Sequence, residues 1–288
     1  MVVLILGLSE ALPAQERQHN GVNVSVGIAC PMQQGELTRL RSIKFDAASL
    51  TLSQQDQASI VSELKERLYH TDTVGSELTE SARSAWQQRG YAKAYTYARV
   101  TLTGRDANGP LGDAIVSVGE GLQYKLRALV WEHAKAFPAE QLDQLTPLKP
   151  GDVFNVGFFS QLMVSVRRLY VSNGFVNFQV MPSTTFDDRN HEVALTLNLQ
   201  EGEAYRVRNI SIDGLSGDKR DSVLGLLLER WRGKVLDTDA FADSAIEALS
   251  PDYLALRFNV ATHDRSGAAD IALRFRPQSD CSSNPQLR

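Results

Sequence analysis

From residue 40 onward the apolar positions keep a fixed order of rhythms, and the order occurs three times. Each round opens with three apolar residues at relative positions 0, +3 and +5, closed by an acid: Leu40, Ile43, Phe45 and Asp46; Leu126, Leu129, Trp131 and Glu132; Val207, Ile210, Ile212 and Asp213. Each set is expected to form a first β-strand. The second and third rounds are in register, because Glu120-Gly121 and Tyr124 recur 81 residues later as Glu201-Gly202 and Tyr205. A fixed period of this kind marks a repeat architecture.

Helical spacing follows. Ile60, Val61, Leu64 and Leu68 share one helix face, as do Val223, Leu224, Leu227, Leu228 and Trp231. The second round is shorter there, with Phe137-Pro138 opening a helix whose Leu142 and Leu145 turn inward. A glycine joint comes next. Gly151-Asp152-Val153-Phe154-Asn155 matches Gly233-Lys234-Val235-Leu236-Asp237, which puts Asn155 and Asp237 where a helix N-cap is wanted. The second helices carry Leu78, Ala82, Ala85 and Trp86; Leu162, Val166, Leu169 and Tyr170; and Phe241, Ala245, Ala248 and Leu249. They end at Gly90-Tyr91 and Gly174-Phe175, where glycine suits a left-handed cap. The third round has Pro251-Asp252-Tyr253 at that corner.

Two alternating stretches close each round: Ala92–Leu102 and Ala114–Val118, Val176–Met181 and Val193–Leu199, and Leu254–Val260 and Ile271–Phe275. Asn108-Gly109-Pro110, Asp187 to Asn190 and Arg265-Ser266-Gly267 supply the turns between them. The fold class is therefore α+β, three tandem β-α-α-β-β units, each with a sheet on which two helices pack. The boundaries fall at 37–121, 122–202 and 203–277, with an N-terminal tail at 15–36 and a polar tail at 278–288. Glu120, Gly121, Glu201 and Gly202 are read as joint residues. The short gap from Leu199 to Val207 leaves no long flexible linker, so an elongated, semi-rigid rod is expected.

Residues 1–14 begin Met-Val-Val-Leu-Ile-Leu-Gly-Leu and read as the later part of an export signal. No basic residue precedes the apolar run, so a short buried N-terminal strand is the alternative. Val22, Val24, Val26 and Ile28 alternate as one further strand. Three units in line would hold Cys30 and Cys281 too far apart for a disulfide.

Composition narrows the chemistry. The 288 residues are 43% hydrophobic and 22% charged, with a net charge of −4, which sets aside nucleic acid as a partner. The apolar run at the start is too short to span a bilayer as a helix. His19, His70, His133, His191 and His263 fall in different elements, so no metal site is expected. Asp187, Asp188 and Glu192 read as solvated turn acids. No nucleophile elbow, phosphate loop or dinucleotide fingerprint is present, so the expectation is a non-enzyme with no cofactor.

With its three ordered rounds, Glu120-Gly121 and Glu201-Gly202 before each new strand, Leu148-Lys149-Pro150-Gly151-Asp152 between helices, and Tyr170 through Gly174-Phe175, the chain resembles tandem POTRA (polypeptide-transport-associated) domains of the BamA/TamA-like superfamily. The resemblance covers about residues 37–277 and is weakest at Pro251-Asp252-Tyr253. It implies three-stranded mixed sheets in the order first, third, second, with the second strand at an edge. It also implies a periplasmic site at the outer membrane. The implied partners are unfolded or nascent outer-membrane proteins, or other assembly-complex proteins, captured by strand addition. Family members carry a membrane β-barrel after these units. The chain is expected to be either a barrel-less relative, partnered by a separately encoded outer-membrane barrel, or a piece of a longer protein. The candidate edge residues are Val176, Phe178 and Val180 in the second unit and Tyr95 and Tyr97 in the first. Gly90, Gly151, Asn155, Gly174, Gly233 and Asp237 are the turn and cap residues. The second reading, from a different class, is a structural protein that docks an envelope or cell-division complex.

Overall fold

The computed structural model describes residues 3–6, 21–27, 35–47, 50–248 and 253–277. Cys30, Cys281 and Leu249 lie outside the described residues, and with them the expectation about a disulfide. The first repeat runs β3 (Leu37–Asp46), α1 (Gln54–Lys65), β4 (Tyr69–His70), α2 (Val74–Gln87), β5 (Tyr95–Asp106) and β6 (Gly109–Gly119). The second runs β7 (Lys125–Glu132), α3 (Ala139–Asp143), α4 (Val156–Ser172), β8 (Gln179–Asp187) and β9 (Glu192–Gln200). The third runs β10 (Arg206–Asp213), α5 (Gly217–Trp231), α6 (Thr238–Glu247), β11 (Tyr253–His263) and β12 (Ala268–Pro277). Two N-terminal strands, β1 (Val3–Leu6) and β2 (Gly21–Gly27), precede them.

Each repeat builds the same mixed sheet. The first strand lies parallel to the third, as in β3 with β6, β7 with β9 and β10 with β12. The second strand flanks the third, giving β3-β6-β5, β7-β9-β8 and β10-β12-β11. The parallel pair needs a crossover, and the two helices supply it. The odd +3 step in each first strand has a structural cause. The pairing register slips between Leu40 and Ser42, between Leu126 and Ala128, and between Val207 and Asn209. A β-bulge thus inserts Arg41, Arg127 and Arg208, and the extra residue turns a two-residue alternation into a three-residue step. Arg41 and Arg208 each reach an aspartate of the third strand, Asp113 and Asp270.

Two compact units form. One takes in Gln33–Val164 and Met181–Asn198; the other takes in Ser165–Val180, the residues from Leu199 onward and the N-terminal strands. In the former, Leu40, Ile60, Leu64, Leu78, Ala82, Trp86 and Val116 make the first repeat's core, while Tyr124, Leu126, Phe154, Val193 and Leu195 make a second cluster. In the latter, Tyr205, Val207, Leu227, Trp231, Phe241, Phe258 and Ile271 pack together. The α2 residues Leu78, Ala82, Ala85 and Trp86 are all buried. Helix α1, in contrast, stops at Lys65, so Leu68 falls beyond it and is exposed.

Candidate functional site

Two kinds of place recur in the repeats and can carry function: the outer edge of each second strand, and the joint where one repeat hands over to the next. An edge strand presents unpaired N–H and C=O groups, and natural proteins usually cover them. The three edges here are covered in three ways.

Strand β5 ends the sheet β4-β3-β6-β5, and its cover is partial. The Ala98 N–H donates to Thr79 Oγ1 of α2 at 2.9 Å, and Thr96 Oγ1 donates to the Thr79 carbonyl at 2.7 Å. Ala98 therefore points its backbone away from β6, and by alternation so do Val100 and Leu102. Thr101 to Asp106 are exposed, Leu102 at 51%. Among the described residues no strand pairs with this side of β5. Tyr95 and Tyr97 stand exposed on the sheet face rather than at its rim. The Tyr95 ring lies over Gly119, where an added Cβ would sit 2.1 Å from it, so glycine makes room for the ring.

Strand β8 also ends its sheet, and Pro182 interrupts its donors. It starts at Gln179, three residues later than alternation suggests. Val176 and Phe178 accordingly lie before the strand, and only Val180 belongs to it; this corrects their assignment to an edge. The physical reason is packing. Phe178 stacks on Tyr170 with ring centroids 4.0 Å apart, and Val176 is buried in the cluster around Tyr205. Strand β11 is not an edge at all, because β2 pairs with its outer side.

The joints are built from one backbone pattern used twice. Gly90 and Gly174 have φ of +91° and +92°, and each carbonyl accepts from the tyrosine N–H of the next repeat, Tyr124 at 2.9 Å and Tyr205 at 3.0 Å. The tyrosine carbonyls then accept from Phe154 at 2.8 Å and Leu236 at 2.9 Å, just before the second helices. Those helices are capped by the acids and amides of the glycine joint. Asn155 Oδ1 accepts from the Phe158 N–H at 3.1 Å, and Asp237 Oδ1 from Asp239 and Ala240 at 3.0 and 2.9 Å. Gly151 and Gly233 turn the chain there at positive φ, as do Gly121 and Gly202. Tyr124 and Tyr205 are buried, and their hydroxyls donate to hairpin acids of their own repeats, Asp188 and Asp264.

Glu120 and Glu201 sit beside the joints but act inside the preceding repeat. Glu120 is 6% exposed. Its carboxylate accepts from Trp86 Nε1 at 3.0 Å, the Thr51 N–H at 2.6 Å, Thr51 Oγ1 at 2.7 Å and the Leu52 N–H at 3.3 Å. Burial alone would push its carboxyl up; the donors together outweigh it and hold the group below the usual range. Glu201 accepts from the Tyr170 hydroxyl at 2.7 Å, and burial followed by this carboxylate raises the phenol. Asp188, placed by the sequence among solvated turn acids, also pairs with Lys93 at 2.6 Å. Among the described residues no group of three or more His, Cys, Asp or Glu could hold a metal ion. No helix of the described residues is long and apolar enough to cross a membrane.

Comparison with known proteins matches this geometry. Residues 124–202 match the family model described as POTRA, surface antigen variable number repeat. A candidate outer membrane protein assembly factor of Treponema pallidum is 22% identical over 255 residues, 86% of this chain and 30% of that protein. The outer membrane protein assembly factor BamA of Buchnera aphidicola is 24% identical over 127 residues, 44% of this chain and 20% of that protein. The chain thus spans less than a third of the length of these relatives. The crystal structure of POTRA domains 3–5 of Haemophilus influenzae BamA superposes with a TM-score of 0.58 at 18% identity, covering 85% of this chain and 99% of that one. Residues 124–202 are thus similar to a POTRA repeat, and the chain shares the α+β fold of the tandem POTRA domains in that structure.

Proposed function

We propose that the chain is a non-enzymatic scaffold on the periplasmic side of the outer membrane, where it holds extended segments of outer-membrane β-barrel proteins by strand addition during assembly or transport. The relatives named for outer-membrane protein assembly support the setting. The observation that carries the mechanism is the outer side of β5 beyond Ala98, with which no strand pairs among the described residues.

A client strand laid there would pair with Val100, Leu102 and the residues that follow. Backbone pairing reads an extended conformation more than a sequence, which suits many β-rich clients. Each hydrogen bond contributes about 1 kcal/mol net. A handful of them, less the cost of ordering the client, gives weak capture of roughly millimolar to micromolar affinity. The site of choice moves from the second repeat to the first because Pro182 removes an N–H from β8, whereas β5 contains no proline and keeps its alternation up to the register shift between Leu102 and Gly104.

Leu102→Pro tests the reading. Its side chain is exposed and its N–H points outward, so proline should leave the repeat folded while removing a docking donor. Titration of a ten-residue peptide of alternating polar and aromatic residues should show at least a fivefold loss of affinity against the unchanged chain. Equal affinity, with an unchanged melting temperature, would rule out β5 as the acceptor.

A further inference from the structure

The third repeat's sheet contains a strand that its own repeat does not supply. β2 lies antiparallel against β11, with Gly27 opposite Ala255 and Gly21 opposite Ala261. β1 pairs with β2 on the far side. Among the described residues this is the one second strand with a partner on its outer side, since β5 and β8 end their sheets. The segment Gly-Val-Asn-Val-Ser-Val-Gly alternates β-branched and small polar residues between two glycines. Its register sets Val22 and Val24 opposite Val260 and Phe258, both buried in the core of that repeat. Both the length of pairing and the alternation therefore fit the edge.

We infer that Gly21–Gly27 is a resident strand that keeps the third repeat's edge closed, and that an incoming strand reaches β11 only by displacing it. The second half rests on the strand-addition reading of the preceding section; the first half stands without it. A strand held in the same chain competes through an effective concentration set by the intervening chain. A free client of equal pairing strength would have to approach that concentration to compete. The β5 edge would thus be open to weak clients while the β11 edge admits only strong or locally concentrated ones.

The test uses the full chain and its Val24→Pro/Ser25→Pro variant. Neighbouring residues on a strand point their N–H groups to opposite sides, so one of the two prolines removes a donor facing β11. Amide hydrogen exchange in β11 should quicken at least tenfold in the variant, while the β12 amides that pair with β10 stay protected. A peptide of residues 20–28 added at millimolar concentration should restore the slow exchange. Unchanged exchange in β11 would overturn the resident strand.

A second variant covers the case in which proline disturbs folding. Asn23 and Asn259 are directly opposite, so Asn23→Cys with Asn259→Cys, in a chain carrying Cys30→Ser and Cys281→Ser, should oxidise to an intrachain disulfide. A disulfide-linked dimer, or no disulfide, would overturn the assignment to the same chain. Finally, the proline variant should bind the client peptide used for β5 at an additional site. If β11 exchange quickens yet no additional site is gained, the resident strand stands and strand addition at this edge fails.

Discussion

The two joints share a backbone and differ in side chains. In each, a left-handed glycine offers its carbonyl to the next repeat's tyrosine. At the first joint, Lys93 reaches across to Asp188 and lies over the rings of Tyr124 and Phe186, 5.2 and 4.8 Å from their centroids. At the second joint the matching position is Asn177. There Val176 is buried in the next repeat's core, whereas its counterpart Ala92 is only partly buried, and Arg167 of α4 meets Asp239 of α6 at 3.3 Å. The shared framework fixes how one repeat follows another. The variable side chains set whether the contact is chiefly charged and salt-sensitive or chiefly apolar.

The strongest way to break the shared part is at its glycines. Both take a φ that costs an ordinary residue about 1–2 kcal/mol. They differ in what a methyl group would meet. At Gly174 an added Cβ would lie 2.9 Å from the Tyr205 carbonyl oxygen, which is fixed in the joint; at Gly90 it would lie 2.4 Å from Val153 Cγ1 and 2.9 Å from Gln123 Cγ, side-chain atoms that can shift more readily than backbone. Gly174→Ala should therefore destabilise by about 3–4 kcal/mol and Gly90→Ala by about 2 kcal/mol, read by chemical denaturation. Equal losses would mean that backbone conformation alone decides.

Much of this architecture is legible in the sequence, and the parts that are not share a cause. The repeat, its helices and the 0, +3, +5 spacing are visible, because they are set by residues near one another in the chain, whereas the bulge behind that spacing appears only in the strand pairing. The start of β8 was obscured because Val176 and Phe178 alternate like a strand while serving a joint and a stacking contact. Leu68 has helical spacing, but α1 ends before it. Lys93 and Asp188 are 95 residues apart, and a lone acid in a hairpin turn carries no mark of its partner. The strand at Val22–Val26 can be read locally, whereas its pairing with β11 depends on contacts across more than two hundred residues. Local rhythm predicts elements; which edges and turns meet is decided by tertiary packing.

The locks beside the joints give the next effect in size. Glu120→Gln would turn an amide N–H₂ toward donors that now meet a carboxylate, at a cost of about 2–3 kcal/mol. The pH dependence follows from the lowered carboxyl. Its ordinary value is 4.5 and the folded value lies below it, so the folded state favours the charged form. That stability is present above pH 4.5 and is lost as pH falls through the folded value. Thermal melting between pH 6 and pH 3 should show a steeper acid loss in the unchanged chain than in Glu120→Gln. Parallel curves would place the acid sensitivity elsewhere.

The smallest effect separates the two joints most directly. Lys93 and Asp188 are both substantially exposed, so their pairing is weak and is screened by salt. Lys93→Ala should lower the melting temperature slightly in dilute buffer and by nearly nothing at ~1 M salt. Installing the cation at the second joint asks whether the difference is transferable. Asn177 stands against Gly202 as Lys93 stands against Gly121, and Asp264 accepts from Tyr205 as Asp188 accepts from Tyr124. Asn177→Lys should therefore gain up to about 0.5 kcal/mol at low salt, a gain that vanishes in the Asn177→Lys/Asp264→Asn double variant. A gain that survives loss of Asp264 would show that the lysine acts through its aliphatic stem over Tyr205 rather than through its charge, and the first joint would then need the same test at Asp188.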